Sequence, residues 1–84
     1  MKATRDEKKT RKLIKTAVRK LLNQYNTDFV YKAQLKPMIR RLDTRFDEGN
    51  YGYRTFTEFI NAHNDILDIT DGEFDQVIKL KGKR

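Results

Sequence analysis

Cysteine is absent from these 84 residues, so neither a disulfide nor a thiolate metal site can reinforce the fold, and packing alone must hold it. That absence fits a reducing, intracellular compartment, and a cytoplasmic location is the expectation. Histidine occurs once, at His63. An enzyme needs acid, base or nucleophilic groups that converge, which one imidazole and carboxylates scattered along the chain do not supply. Neither catalysis nor a cofactor is expected. Also missing is any apolar run near the length of a membrane span, and the charged N-terminus lacks the apolar core of a signal peptide. The expected protein is soluble and not exported by that route. A hydrophobic content of 37%, with nine Phe and Tyr rings, suffices for one modest core and leaves no room for a second domain.

Positive charge is what the chain has in excess. Nineteen Lys and Arg against twelve Asp and Glu give a net charge of +7, the footprint of a polyanion binder. The competing reading is a basic surface kept for solubility. Residues 1–27 carry nine basic and two acidic side chains, residues 28–54 six and four, residues 55–78 none and six, and residues 79–84 four and none. The uneven distribution favours binding over solubility, and it puts the basic charge in the first helix, the second helix and the tail.

Thr4 and Glu7 have the spacing of a capping box, and Leu13, Ile14, Ala17, Val18, Leu21, Leu22 and Tyr25 then recur at helical intervals. A first helix is expected over about Arg5 to Tyr25. Lys8, Lys12, Lys15 and Arg19 fall on one stripe beside its apolar face, where a polyanion could lie, although the wet side of any amphipathic helix looks similar. Phe29-Val30-Tyr31 reads as a stub strand. Leu35, Met38, Ile39 and Leu42 mark a second helix with Lys36, Arg40 and Arg41 on its outer side. Pro37 is expected in its first turn, which places the helix start near Ala33 or Gln34. Phe56, Phe59 and Ile60 define the buried side of a third helix from about Thr55 to His63, with His63 favoured by the negative end of the helix dipole. Between the last two helices, Gly49 and Gly52 flank Asn50 and Tyr51, so that positive φ angles are available in a tight connection. Two apolar runs, Ile66 to Ile69 and Phe74 to Leu80, flank Thr70-Asp71-Gly72-Glu73, a strong hairpin signal. The expected architecture is α+β: a small winged helix-turn-helix of three helices, a short strand and a C-terminal β-hairpin wing. It should occupy residues 7–80 as a single domain, with flexible basic ends at residues 1–6 and 81–84. Asp65, Asp68, Asp71, Glu73 and Asp75 resemble a calcium loop in passing. They lack the glycine at the sixth place and the glutamate at the twelfth, and no metal site is expected.

Leu-Lys-Pro at 35–37, Arg-Arg-Leu-Asp at 40–43, Phe46-Asp47, Tyr51-Gly52-Tyr53 and Phe56 with Glu58-Phe59 together resemble the LOTUS, or OST-HTH, domain. The likeness extends more loosely from about Arg11 to Leu80, and it looks most like bacterial members associated with nuclease-like NYN domains. The chain departs from that pattern at Asp43-Thr44-Arg45, where such members commonly have Asp-Pro-Ser. The change removes a proline and adds a positive charge. The resemblance implies RNA binding, with G-rich or structured RNA preferred by some members. Animal members with a helical extension after the wing also bind a DEAD-box helicase. Only Lys81 to Arg84 follow the last expected strand, too few for that helix, so helicase docking is not expected.

The third helix offers little to a DNA major groove, since Glu58 would repel phosphate and the wing is acidic. The expected surface instead combines Lys36, Arg40, Arg41, Arg45 and Arg54 as phosphate partners with an exposed Tyr51 as a stacking ring, supplemented by Lys12, Lys15 and Arg19 on the first helix. Tyr53 and Phe46 are expected in the core. The reading is a monomeric, non-catalytic RNA-binding module that could recruit RNA to a nuclease or other processing partner. The alternatives are a protein interaction domain and, less favoured, a duplex-DNA binder.

Overall fold

In the computed structural model, which describes residues 7–81, the amphipathic opening segment forms helix α1 (Glu7–Tyr25). Ile14, Ala17, Val18 and Leu21 are buried, because the i, i+3, i+4, i+7 spacing turns them to one side. Tyr25 continues that series but is 52% exposed at the helix end. Asn26 closes the helix in the left-handed conformation (φ 55°), and the Thr27 N–H returns to the Leu22 carbonyl at 3.1 Å, a Schellman closure. Thr4 of the expected capping box lies outside the described residues, as do residues 1–6 and 82–84 of the expected flexible ends.

Strand β1 is the two-residue stub Val30–Tyr31, and it runs directly into helix α2 (Lys32–Leu42). The helix starts one residue earlier than Ala33, which puts Pro37 in the second turn and not the first. There it leaves the Ala33 carbonyl without its usual N–H partner. The early start is stabilised by two side-chain oxygens: the Gln34 amide Oε1 accepts from the Tyr31 N–H at 2.9 Å, and the Asp75 carboxylate Oδ2 accepts from the Ala33 N–H at 2.8 Å. Leu35, Met38 and Ile39 are buried, whereas Leu42 stays 37% exposed.

A 3₁₀ turn at Glu48–Tyr51 connects α2 to helix α3 (Phe56–Asn61). Only Gly52 of the two connecting glycines takes a positive φ, at 89°. Gly49 sits inside the 3₁₀ turn, where its N–H donates to Asp47 Oδ1. A Cβ on Gly52 would meet nothing within 4 Å, so any cost of substitution is backbone strain alone. Gly52→Val is expected to destabilise the domain by ~1–2 kcal/mol or more, because the left-handed region is unfavourable for L residues and worst for β-branched ones. Gly52→Asn should recover much of that loss. Urea denaturation of both variants checks the order, and a Gly52→Val variant as stable as the parent would contradict it.

Helix α3 is shorter than expected. Thr55 caps it by accepting the Glu58 N–H on Oγ1 at 3.1 Å, and the chain leaves the helix at Ala62. His63 therefore lies past the helix end, where it is buried: its Nδ1–H donates to the Phe59 carbonyl at 2.8 Å and its ring packs on Phe59 and Tyr53. Strands β2 (Leu67–Asp71) and β3 (Gln76–Leu80) form the wing, and β3 is the middle strand of an antiparallel sheet ordered β1-β3-β2. Val30 faces Ile78 on one side and Ile69 faces Ile78 on the other. The wing turn is a four-residue loop, 72–75, closed by the Gly72 N–H on the Asp75 carbonyl at 3.0 Å. The loop lies two residues later than the expected Thr70 to Glu73 connection, so that Thr70 and Asp71 belong to β2 and Phe74 sits in the loop, not in the strand. The fold is a small α+β winged helix with three helices and a three-stranded antiparallel sheet, whose core joins α1, α2 and α3 to Leu67 and Ile78 of the sheet.

Candidate nucleic-acid interface

Four-residue spacing places Lys32, Lys36 and Arg40 on one stripe of α2, successive members about 6 Å apart along the axis. They line an open cleft of about 530 Å³ between α2 and the start of α3, whose remaining walls are Ala33, Pro37, Phe56 and Thr57. The cations are held differently. Lys32 Nζ donates to Thr57 Oγ1 at 2.8 Å, which fastens α2 to α3. Lys36 Nζ pairs with Glu48 Oε2 at 3.0 Å and lies 5.9 Å from the centre of the Phe56 ring. Arg40 is exposed, and no described residue pairs with its guanidinium. The cleft thus combines a free guanidinium, two half-buried ammonium groups and an apolar floor.

The expected surface is divided by this geometry. Arg41 lies on a different side of α2 from Arg40 and lines a second groove, of about 510 Å³, with Lys20, Asn23 and Gln24 of α1. Arg45 and Arg54 are exposed on the connection between α2 and α3. The Arg54 backbone N–H donates to Glu58 Oε1 at 3.1 Å, so the Glu58 carboxylate is engaged at the helix start. On α1, Lys12 and Arg19 are exposed and Lys15 is half-buried; none of them lines the α2–α3 cleft. Lys32 and Lys20 were not singled out by the sequence pattern. The signal for Lys32 was its place four residues before Lys36, hidden because the helix was expected to begin after it.

Tyr51 is not the exposed ring that the sequence suggested. It is half-buried, with its ring 5.6 Å from those of Phe46 and Phe59, because the 3₁₀ turn folds it back onto the core. Tyr53 packs on Phe59 as expected, and Phe46 is buried. Among the described residues no three His, Asp or Glu side chains come together as metal ligands would, and no helix is long and apolar enough to cross a membrane.

The wing is fastened to the mouth of the cleft by Asp75. Its carboxylate is held below the ordinary carboxylate range by the Ala33 N–H, then by the Gln76 N–H and the charge of Lys32, against a desolvation that acts the other way. A carboxyl whose folded pKa is depressed contributes stability that is fully present above its unfolded pKa, about 3.9, and is lost as the pH falls through the folded value. Asp75→Ala is accordingly expected to lose about 0.5–2 kcal/mol at neutral pH, as other helix caps do, and the gap should narrow only as the pH falls below about 3.9 through the depressed folded pKa. Denaturation curves at neutral and acid pH check this, and a gap that does not narrow in acid would contradict it.

No curated protein and no solved structure matches the chain. The family model of the OST-HTH/LOTUS domain matches residues 9–78, a span that takes in α1 from its third residue, all of α2 and α3 and most of the wing, and the chain belongs to that family.

Proposed function

We propose that this chain is a non-catalytic RNA-binding module that takes the backbone of unpaired or structured RNA along the α2–α3 cleft and brings it to a nuclease or other RNA-processing partner. Domains of the OST-HTH/LOTUS family are non-catalytic and serve as RNA-binding or protein-interaction modules. The observation that favours RNA here is the row of Lys32, Lys36 and Arg40 over an apolar floor, a combination suited to phosphate on one side and to base or sugar on the other. Arg45 and Arg54 extend the positive surface towards the connection, and Arg41 with Lys20 offers a second, separate path. Major-groove reading of duplex DNA fits poorly. Helix α3 has six residues, and the one exposed side chain of its first turn is Glu58.

The test is an NMR titration of the labelled domain with single-stranded RNA, structured RNA and duplex DNA at near-physiological salt. The expected result is that both RNAs shift amides of Lys32 to Arg40 and of Arg54 to Thr57, with affinity falling steeply as salt rises because counterions are released. Shifts confined to the wing, or none with any nucleic acid, would sink the reading and leave protein interaction as the function of the domain.

A further inference from the structure

Resting on the RNA reading above, we infer that Phe74 at the tip of the wing is the stacking platform of the site, holding the face of an unpaired base while the cleft holds the backbone. Phe74 is 83% exposed, far more than Tyr25 or Leu42, the other large exposed hydrophobics among the described residues. A phenyl ring has no polar atom to satisfy in water, and its use is the apolar, π-rich face that it offers a partner.

Its position is fixed from both sides. The loop is tight: a Cβ on Gly72 would lie 2.5 Å from the Asp75 carbonyl oxygen and 2.7 Å from Val77 Cγ2, so only glycine lets the turn close. The next residue, Asp75, bonds the Ala33 N–H, and Ala33 and Lys32 belong to the wall of the cleft. The phenyl ring is therefore carried one residue from an anchor at the mouth of the cation row. Glu73 beside it repels phosphate, so that the backbone is directed to Lys32, Lys36 and Arg40 and a base is left for the ring. Pairing an aromatic face with a basic track is how proteins hold unpaired strands without reading sequence. Tyr51, the ring that the sequence offered for this purpose, is occupied by Phe46 and Phe59. Base-paired RNA hides its base faces, and Phe74 thereby biases the site towards single strands.

The experiment compares the full chain with its Phe74→Ala variant on a short single-stranded RNA and on the same strand made abasic. Because the side chain is exposed at a loop tip, the variant should fold normally. Stacking predicts a roughly 5- to 150-fold loss of affinity on the intact strand, no loss on the abasic strand, and an unchanged salt dependence. The chain has no tryptophan, so Phe74→Trp introduces a single indole whose fluorescence should be quenched by the intact strand and not by the abasic one. If Phe74→Ala binds the intact strand like the parent while Arg40→Glu does not, the stacking role is overturned with the RNA reading intact, and the exposed ring belongs to a protein contact. If the parent binds no RNA at all, the RNA reading itself fails and the inference falls with it.

Discussion

Truncation of Phe59 to alanine is expected to destabilise the domain by about 3–5 kcal/mol, the range for removing a large aromatic from a packed core. Phe59 is fully buried. Its ring lies 5.1 Å from Phe46, 5.6 Å from Tyr51, 5.6 Å from Tyr53, 5.7 Å from Phe56 and 4.8 Å from His63. These rings come from α3, from the connection before it and from the turn after it, and Phe59 is what they have in common. A domain of this size has a total stability of roughly 4–13 kcal/mol, so the loss is a large fraction of the whole. Urea denaturation should show a fall in midpoint, or a chain already unfolded without denaturant. Phe59→Leu, which retains most of the volume, should be much milder. A loss below about 1 kcal/mol for Phe59→Ala would mean that the rings can close over the gap, which is at odds with the limited relaxation of packed cores. Because Glu48 of the 3₁₀ turn pairs with Lys36, loosening this cluster should also disturb the cleft from below, and any loss of RNA binding in Phe59→Ala reflects folding, not contact.

The helices and the wing were legible in the sequence because their signals are local. Ile14, Ala17, Val18 and Leu21 announce a buried stripe by spacing alone, as do Leu35, Met38 and Ile39, and Asp71-Gly72 between apolar runs announces a hairpin. What was not legible depends on partners distant in sequence. The early start of α2 is supported by Asp75, 42 positions away, which accepts the Ala33 N–H beside the local Gln34 cap, and with that start Pro37 leaves the expected first turn and Lys32 joins the helix. Phe74 looks like a strand residue by hydrophobicity. It is expelled because the loop closes between Gly72 and Asp75, geometry that an Asp-Gly pair alone does not specify. Tyr51 and Phe74 show the limit for function: composition says that aromatic rings are available, but only packing decides which of them is free. The same holds for Arg40 and Arg41, neighbours in sequence on different sides of one helix.

That separation leads to the sharpest functional expectation. Arg40→Glu should weaken RNA binding by about 10- to 150-fold or more, since a hydrogen bond to a charged group contributes about 1.5–3 kcal/mol and reversal adds repulsion. Arg41→Glu, in the groove against α1, should cost several-fold less, because on a strand held in the α2–α3 cleft it acts only through the screened field at physiological salt. Lys32→Gln removes a charge from the same row as Arg40 and should also weaken binding, with the loss of Thr57 as a partner monitored by thermal melting. Each phosphate contact removed should lower the slope of log affinity against log salt by about 0.7 on a single strand, so the Lys32→Gln, Arg40→Glu pair should flatten it by about 1.4. Fluorescence anisotropy over a salt series measures both quantities. Equal losses from Arg40→Glu and Arg41→Glu would mean that the strand wraps both sides of α2. A loss from Arg41→Glu alone would move the interface to the groove that Arg41 shares with Lys20 and leave the α2–α3 cleft without a role in RNA binding. The salt slope decides what affinity alone does not, because a variant that merely destabilises the fold lowers the active fraction without changing the number of phosphates that the remaining folded molecules contact.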